Sequence, residues 1–514
     1  MQFLFRATAS LPRMAWCARI NRDNPVVVVE HGSWVETAEG CFFEGIWNGG
    51  FTDGAFLEAS MCLGSGGRTA PEAVHFAGVS HSLERLHLFE TPDEVLLSNS
   101  LAFILTESGN DLATSYRFYD RDLMSFVKGL HALTDTIPTA SGQAIRLVYS
   151  SNVSIAPDLT ITTTRKPQPP TFSSYDDYVS YMVRELRSLA ENAASASRHH
   201  TFSPLATISS GYDSPAAAVL AQTVGCTEAL TFSSPRKDFG PESDSGKEIG
   251  RILGLSVREF DRTGYRAVDT LPEAEFLAVG TGGEDVVMCA FEAYLPGTLL
   301  FTGFLGDTIW GRLHPDPQGS QDYKMGVSPG GSTLAEFRLR VGFVHVPVPL
   351  LALTRHPDLH RISNSAEMRP WRSGSNRYDR PIPRRLVEER GVPRHLFGTS
   401  KRAVTQPFYF NEPLAEVLAP HSYEDFKEFL ASISPQGLDR LLWRGLGERF
   451  LYALLPLLHR LNYIMSRVLV GLGGRLGIAV PLRLFVPIRF RQRLKENLFA
   501  VHWGVSRIRR RYQR

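Results

Sequence analysis

The sequence predicts an α/β fold with a parallel sheet in the middle of the chain and a β-rich region before it. Three observations carry this. From Ala206 onward, short apolar runs alternate with helix-forming segments, the pattern of a sheet with helices on both faces. Residues up to about Thr164 are instead rich in short apolar runs, glycines and turn signals. Between the two lies Arg165-Lys166-Pro167-Gln168-Pro169-Pro170, which reads as a proline-rich linker.

The elements follow in order. Residues 26–29, 41–43, 74–76 and 95–97 have the composition of strands. Ser173 and Ser174 are candidate caps for a helix over about 175–194, where apolar residues recur at helical spacing. The parallel sheet is expected to use strands at 206–208, 229–233, 256–260 and 298–302, with a helix over 242–253 closed by Gly254. The second half reads as mainly helical. From about Arg483 it becomes strongly basic, with Glu496 the one acid and Phe499, Trp503 and Tyr512 interleaved with arginines. The expected division is 1–164, a linker over 165–172, a domain over 173–480 and a basic tail over 481–514.

At 514 residues the chain has room for two or three domains, and 43% hydrophobic with 21% charged residues is ordinary for a globular protein. A formal charge of +2 points to no partner by bulk electrostatics. Five cysteines without CxxC or zinc spacing read as free thiols, which fits a reducing compartment. Arg6, Arg13 and Arg19 interrupt the apolar N-terminal stretches, so no signal peptide is expected. No stretch of about 20 residues is free of charge, so no transmembrane segment is expected either. The nearest candidate, 451–480, carries His459, Arg460, Arg467 and Arg475 and reads as buried or amphipathic helices. A cytoplasmic protein is the expectation.

Chemistry concentrates first at Ser209-Ser210-Gly211-Tyr212-Asp213-Ser214, where an apolar strand enters a small, hydroxyl-rich turn and an Ala/Val/Leu helix begins. Such a turn lets backbone N–H groups reach an anion, and the helix N-terminus adds partial positive charge. Ser209 and Ser214 are candidate phosphate donors. Asp213 would be repelled by phosphate and reads as a Mg²⁺ ligand beside it.

These six residues resemble the Ser-Gly-Gly-x-Asp-Ser loop of the PP-loop ATP pyrophosphatases, departing only at Ser210. A second segment, Thr302-Gly303-Phe304-Leu305-Gly306-Asp307-Thr308-Ile309-Trp310-Gly311, resembles the Ser-Gly-Glu-Gly-x-Asp-Glu motif of the asparagine synthetase family. A third, 391–402, resembles that family's basic segment. The resemblance covers most of about 175–410. It implies a PP-loop (adenine nucleotide α-hydrolase-like) synthetase domain that binds ATP and Mg²⁺, with Asp213 and Asp307 as metal carboxylates. It further implies Ser209, Ser210, Gly211, Ser214, Thr302 and Gly303 at the phosphates and Thr231-Phe232-Ser233 at the adenine. Lys401, with Arg402 as the substitute, would sit at the leaving pyrophosphate.

Residues 1–164 resemble the family's Ntn amidohydrolase domain in degenerate form. Position 2 is Gln2 rather than the nucleophilic cysteine, and the nearest cysteine is Cys17, so no glutaminase activity is expected. The implied reaction adenylates a carboxylate and forms an amide with ammonia, supplied free or by a separate protein, or with another amine. Phe304 replaces the family's glutamate and Thr308 the acid after Asp307, which leaves Glu284 or Asp285 as candidate bases. Two other readings stand beside this one: a non-catalytic nucleotide-binding scaffold, and a nucleic-acid-modifying PP-loop enzyme. The basic tail suits the latter, or contact with an anionic surface; as a plain structural element it reads as a solvated helix.

Overall fold

The computed structural model describes residues 1–129, 132–235, 243–280, 282–312, 330–374, 378–406, 408, 414–433 and 498–513. The expected helical candidate at 451–480 and the first part of the basic tail lie outside them.

The β-rich part is built from two sheets. One has seven strands in the order Gln2–Ala7, Val26–His31, Trp16–Asn21, Glu94–Ser98, Leu86–Glu90, Ala144–Val148, Thr136–Pro138. The other has six, in the order Ile161–Arg165, Ser151–Ile155, Val74–Ala77, Cys62–Thr69, Cys41–Trp47, Glu36–Ala38. Alternate residues Trp16, Ala18 and Ile20 of the first sheet share one buried cluster with Phe42, Val74, Phe76, Val153 and Ile155 of the second. Side chains of period two from facing sheets thus make a common core. Trp16 stacks on Phe76 with ring centroids 5.8 Å apart and meets Phe42 edge-on at 5.1 Å. All four strands expected here are present. Nine further strands complete the two sheets, among them Gln2–Ala7, which pairs parallel to Val26–His31. Its apolar run is only Phe3-Leu4-Phe5, set between Gln2 and Arg6, so little marks it as a strand.

The proline-rich segment is held down rather than loose. Phe172 is buried against Tyr178 and Tyr181, and its N–H donates to Asp358 at 3.1 Å. The helix that follows runs Tyr175–Ala193, and Ser174 caps it by accepting from the Asp177 N–H.

The second layer is a five-stranded sheet in the order Ser256–Phe260, Glu228–Phe232, Ser203–Thr207, Thr298–Thr302, Val344–Pro347, and every neighbouring pair is parallel. The chain therefore moves outward from Ser203–Thr207 to one edge, then returns to the other side of that strand. This reversal creates a crevice beyond the carboxyl ends of Ser203–Thr207 and Thr298–Thr302. The strand Val344–Pro347 is an addition to the four expected. The helix expected over 242–253 spans Lys247–Ile252, because Asp244 and Ser245 are engaged by the loop after Ser203–Thr207 instead.

The end of the chain corrects the solvated-helix expectation. Ala500–Arg509 is a helix packed against Leu101–Glu107 and Pro272–Leu277, and Trp503 and Tyr512 are fully buried. Tyr512 stacks on Phe103 and donates to Glu336 at 2.7 Å. Arg509 pairs with Asp111 and Arg511 with Glu275, so these two cations are spent internally.

Contacts divide the chain into one compact unit, Met1–Pro407 with Ala500–Arg514, and a second, Phe408–Phe499. In the second, the helices Leu414–Val417 and Pro420–Ser432 bury Leu414, Val417 and Phe426. Among the described residues no helix is long and apolar enough to cross a membrane.

Candidate functional site

A cavity of about 200 Å³ opens where the sheet order reverses. The loop after Ser203–Thr207 brings Ser209, Gly211, Asp213 and Ser214 to it, and the loop after Thr298–Thr302 brings Gly303, Phe304, Leu305 and Asp307. Part of its lining is apolar, made by Leu230, Phe232, Met288, Phe291 and Val404. Phe232 and Phe291 stack there with centroids 4.5 Å apart. The rest includes charged groups: Asp213, Asp244 and Asp307 together with Arg380, Lys401 and Arg402.

The first loop is shaped by its own side chains. Ser209 and Ser214 hydroxyls lie 2.8 Å apart, and the Gly211 N–H donates to the Ser209 oxygen at 3.2 Å. The helix Asp213–Gln222 starts at the cavity, and all of 215–221 is buried. Tyr212 points away from the cavity into the core, against Phe397 and the Arg384 guanidinium.

The two loops touch more closely than side chains allow. A Cβ on Gly303 would lie 2.3 Å from the Asp213 carbonyl carbon, and one on Gly306 would lie 2.6 Å from Asp213 Oδ1. Leu305 between them has φ of +65°, the left-handed region glycine favours. It occupies the position of the second glycine in the motif it resembles.

Asp213 pairs with Arg380 through Oδ2, while its buried Oδ1 has no hydrogen-bond partner. Burial raises the Asp213 carboxyl above its ordinary range even though Arg380 pulls it down. Asp307 pairs with Lys401 at 3.0 Å, and its side chain is 45% exposed because it faces the cavity. Desolvation by the surrounding cavity walls pushes the Asp307 carboxyl up, but Lys401 and Arg380 together outweigh it and hold it low. A second cavity of about 340 Å³ shares Asp307, Tyr378, Arg380 and Lys401 with the first.

Of the residues expected from sequence, Ser209, Gly211, Asp213, Ser214, Thr231, Phe232, Thr302, Gly303, Asp307 and Lys401 all line this cavity. Two do not. Ser210 turns its hydroxyl to Asp244 at 2.8 Å, and Ser233 turns its own to the Phe260 carbonyl. The candidate bases are also placed elsewhere. Asp285 accepts from the Gly331 N–H and from the N–H and hydroxyl of Thr333, which commits both oxygens. Glu284 is buried outside the cavity lining, and its carbonyl accepts from the Gln406 N–H.

Sequence reasoning missed Asp244, Tyr378, Arg380 and the strap 403–405. Arg262 holds that strap by donating to the Val404 carbonyl and to Gln406 at 2.8 Å. Asp379-Arg380-Pro381 reads only as a helix start, so nothing local marks Arg380 as a partner of a residue 167 positions away.

The residues fit a divalent cation and a phosphate chain. A buried carboxylate oxygen lacks a partner, a second carboxylate is open to the cavity, and two glycines keep the loops in contact. Comparison with protein-family models and with curated proteins found no match to this chain.

Proposed function

We propose that the chain is an asparagine synthetase-like, ATP-dependent carbon–nitrogen ligase of PP-loop fold that carries a degenerate Ntn-type sandwich. The observation that carries this reading is the meeting of Asp213 and Asp307 at the crevice between Ser203–Thr207 and Thr298–Thr302, beside the Ser209–Ser214 turn. ATP suits a cavity lined by both kinds of group: apolar side chains for a flat base, and charged ones for phosphates and their metal. Mg²⁺, held by Asp213 and Asp307, would neutralise charge on the triphosphate.

In the reaction a substrate carboxylate oxygen bonds to the α-phosphorus and the bond to pyrophosphate breaks. An amine then attacks the acyl carbon, the bond to AMP breaks, and the amine's proton passes to water while AMP leaves as the phosphate anion. This chain's share is positioning and charge neutralisation. Ser209 and Ser214 donate to phosphate oxygens. Lys401, Arg380 and Arg402 offset the charge of departing pyrophosphate. Strap and loops exclude water from the acyl group. The substrates are a small-molecule carboxylate and an amine or ammonia, the latter free or from another protein.

Burial of Trp503 and Tyr512 and the internal pairing of Arg509 and Arg511 remove part of the support for a nucleic-acid enzyme. The test is thermal stability with and without Mg²⁺–ATP, for wild type and Asp213→Ala. Ligand at a hundred times its Kd stabilises by about 2.7 kcal/mol, which raises the melting temperature. A rise lost in the variant, followed by carboxylate-dependent pyrophosphate release, is the expected result. A rise without release under any carboxylate favours the scaffold reading. No rise at millimolar ATP rejects the nucleotide site.

A further inference from the structure

The two carboxylates best placed for a metal ion are already paired with the protein's own cations, with the buried Asp213 Oδ1 left without a partner. Arg380 holds Asp213 and Lys401 holds Asp307, the latter at 3.0 Å. Three carboxylates and three cations line the cavity, so its formal side-chain charge is zero. A divalent cation arriving alone meets three like charges. A triphosphate arriving alone meets three carboxylates. Either ligand by itself must break ion pairs without replacing them.

We propose that Arg380 and Lys401 occupy the cation's place in the empty site, and that metal and nucleotide enter by exchange. The carboxylates pass from the two side chains to the metal while the side chains turn to phosphate oxygens. This deepens the proposed function and rests on its reading of the cavity as a nucleotide site.

The two pairs are not equivalent. Lys401 is 48% exposed and flexible, so it leaves Asp307 easily. The Arg380 side chain is 6% exposed and packs beside the rings of Tyr212 and Tyr378, at 5.9 and 5.0 Å. Arg380 is therefore the stronger barrier to a metal arriving without nucleotide. The signed consequence is counterintuitive. Removing a cation from a phosphate site should weaken nucleotide binding yet strengthen binding of the metal alone.

The experiment titrates the full-length protein with Mn²⁺, read by its electron paramagnetic resonance signal, with and without α,β-methylene-ATP, for wild type, Arg380→Met and Lys401→Gln. We expect both variants to bind Mn²⁺ alone more tightly than wild type, Arg380→Met by about tenfold or more. We also expect the factor by which nucleotide enhances Mn²⁺ binding to fall in both. The affinity of Mn²⁺ for the nucleotide in water is common to all three proteins and cancels in that comparison. Lys401 is exposed, so Lys401→Gln keeps the test open if Arg380→Met does not fold. Mn²⁺ affinity unchanged or weaker in the folded variants, with Mn²⁺–nucleotide binding intact in wild type, overturns the exchange and leaves the nucleotide site standing. Nucleotide binding to wild type neither with nor without Mn²⁺ overturns both.

Discussion

At the scale of single residues, the site depends on atoms that are absent. Gly306 carries no Cβ, and one placed there would lie 2.4 Å from Asp213 Cγ and 2.6 Å from Oδ1. Neither the loop nor the helix start can yield easily, because Gly303 presses equally on the Asp213 backbone. Gly306→Ala must therefore displace the Asp213 carboxylate. We expect overpacking to cost about 1–3 kcal/mol of stability, and the Mg²⁺–ATP-dependent rise in melting temperature to disappear while the fold persists by circular dichroism. A variant that retains the full rise would show that Asp213 does not need its observed position. Residues of this kind were legible in the sequence where a short motif fixes them: Ser209, Asp213, Gly303 and Asp307 each sit within a few positions of a strand end. Arg380 and Asp244 were not, because their roles arise only when distant loops meet.

At the scale of elements, the helix Ala335–Val341 joins the sandwich to the parallel sheet by buried charge. Arg338 donates to both oxygens of Glu44, at 2.7 and 3.1 Å, and twice to Glu84 Oε2, at 3.1 and 2.7 Å. Glu44 is wholly buried, and burial raises its carboxyl even though Arg338 pulls it down. It also accepts from Ser65, whose oxygen in turn accepts from the Trp16 indole. A buried carboxylate left without its cation is far costlier than a pair never formed. Arg338→Met is expected to lower unfolding free energy by about 3–5 kcal/mol, measured by urea denaturation. Adding Glu44→Gln should recover part of that loss, since an amide needs no counter-charge. Equal stability of the single and double variants would place the cost in lost packing instead. Sequence pattern could not have shown this joint. A seven-residue helix with three arginine or glutamate positions among its apolar ones reads as an ordinary surface helix until the sandwich covers it. Some sheet strands, by contrast, were readable from apolar runs; Gln2–Ala7 and Val344–Pro347 are two of those missed, the first with an apolar run of only three residues and the second only four residues long.

At the scale of the whole molecule, the halves expected to be separate domains share one compact unit that also takes up Ala500–Arg514. The basic composition of that last segment hid its role: Trp503 and Tyr512 are core residues, and arginines around them meet Asp111 and Glu275. Where the sandwich and parallel sheet meet, three histidines are buried: His81 and His87 from the first part and His345 from the strand Val344–Pro347. Burial lowers all three, His81 to about 4 with Arg338 adding to the effect, and His87 and His345 well below the ordinary value. His81 Nδ1 accepts from the Leu83 N–H at 3.3 Å, a bond that requires the neutral ring. The unfolded chain holds its histidines near 6.5, so between 6.5 and about 4 it binds more protons than the folded one. Stability from His81 is thus complete above 6.5 and is lost as pH falls through that window, a total on the order of 3 kcal/mol. Buried carboxylates such as Glu44 and Asp213 act in the opposite sense, since their raised values favour folding at low pH. The histidine contribution is therefore read as a difference. His81→Asn keeps an acceptor for the Leu83 N–H but cannot be protonated. We expect this variant to be less stable than wild type at pH 7.5, and the gap in urea denaturation to close or reverse by pH 5. Because one compact unit carries both sides of the junction, the change should appear in global unfolding and not only in local opening. A gap that stays constant from pH 7.5 to 5 would mean that His81 titrates alike in the folded and unfolded chain, against its burial.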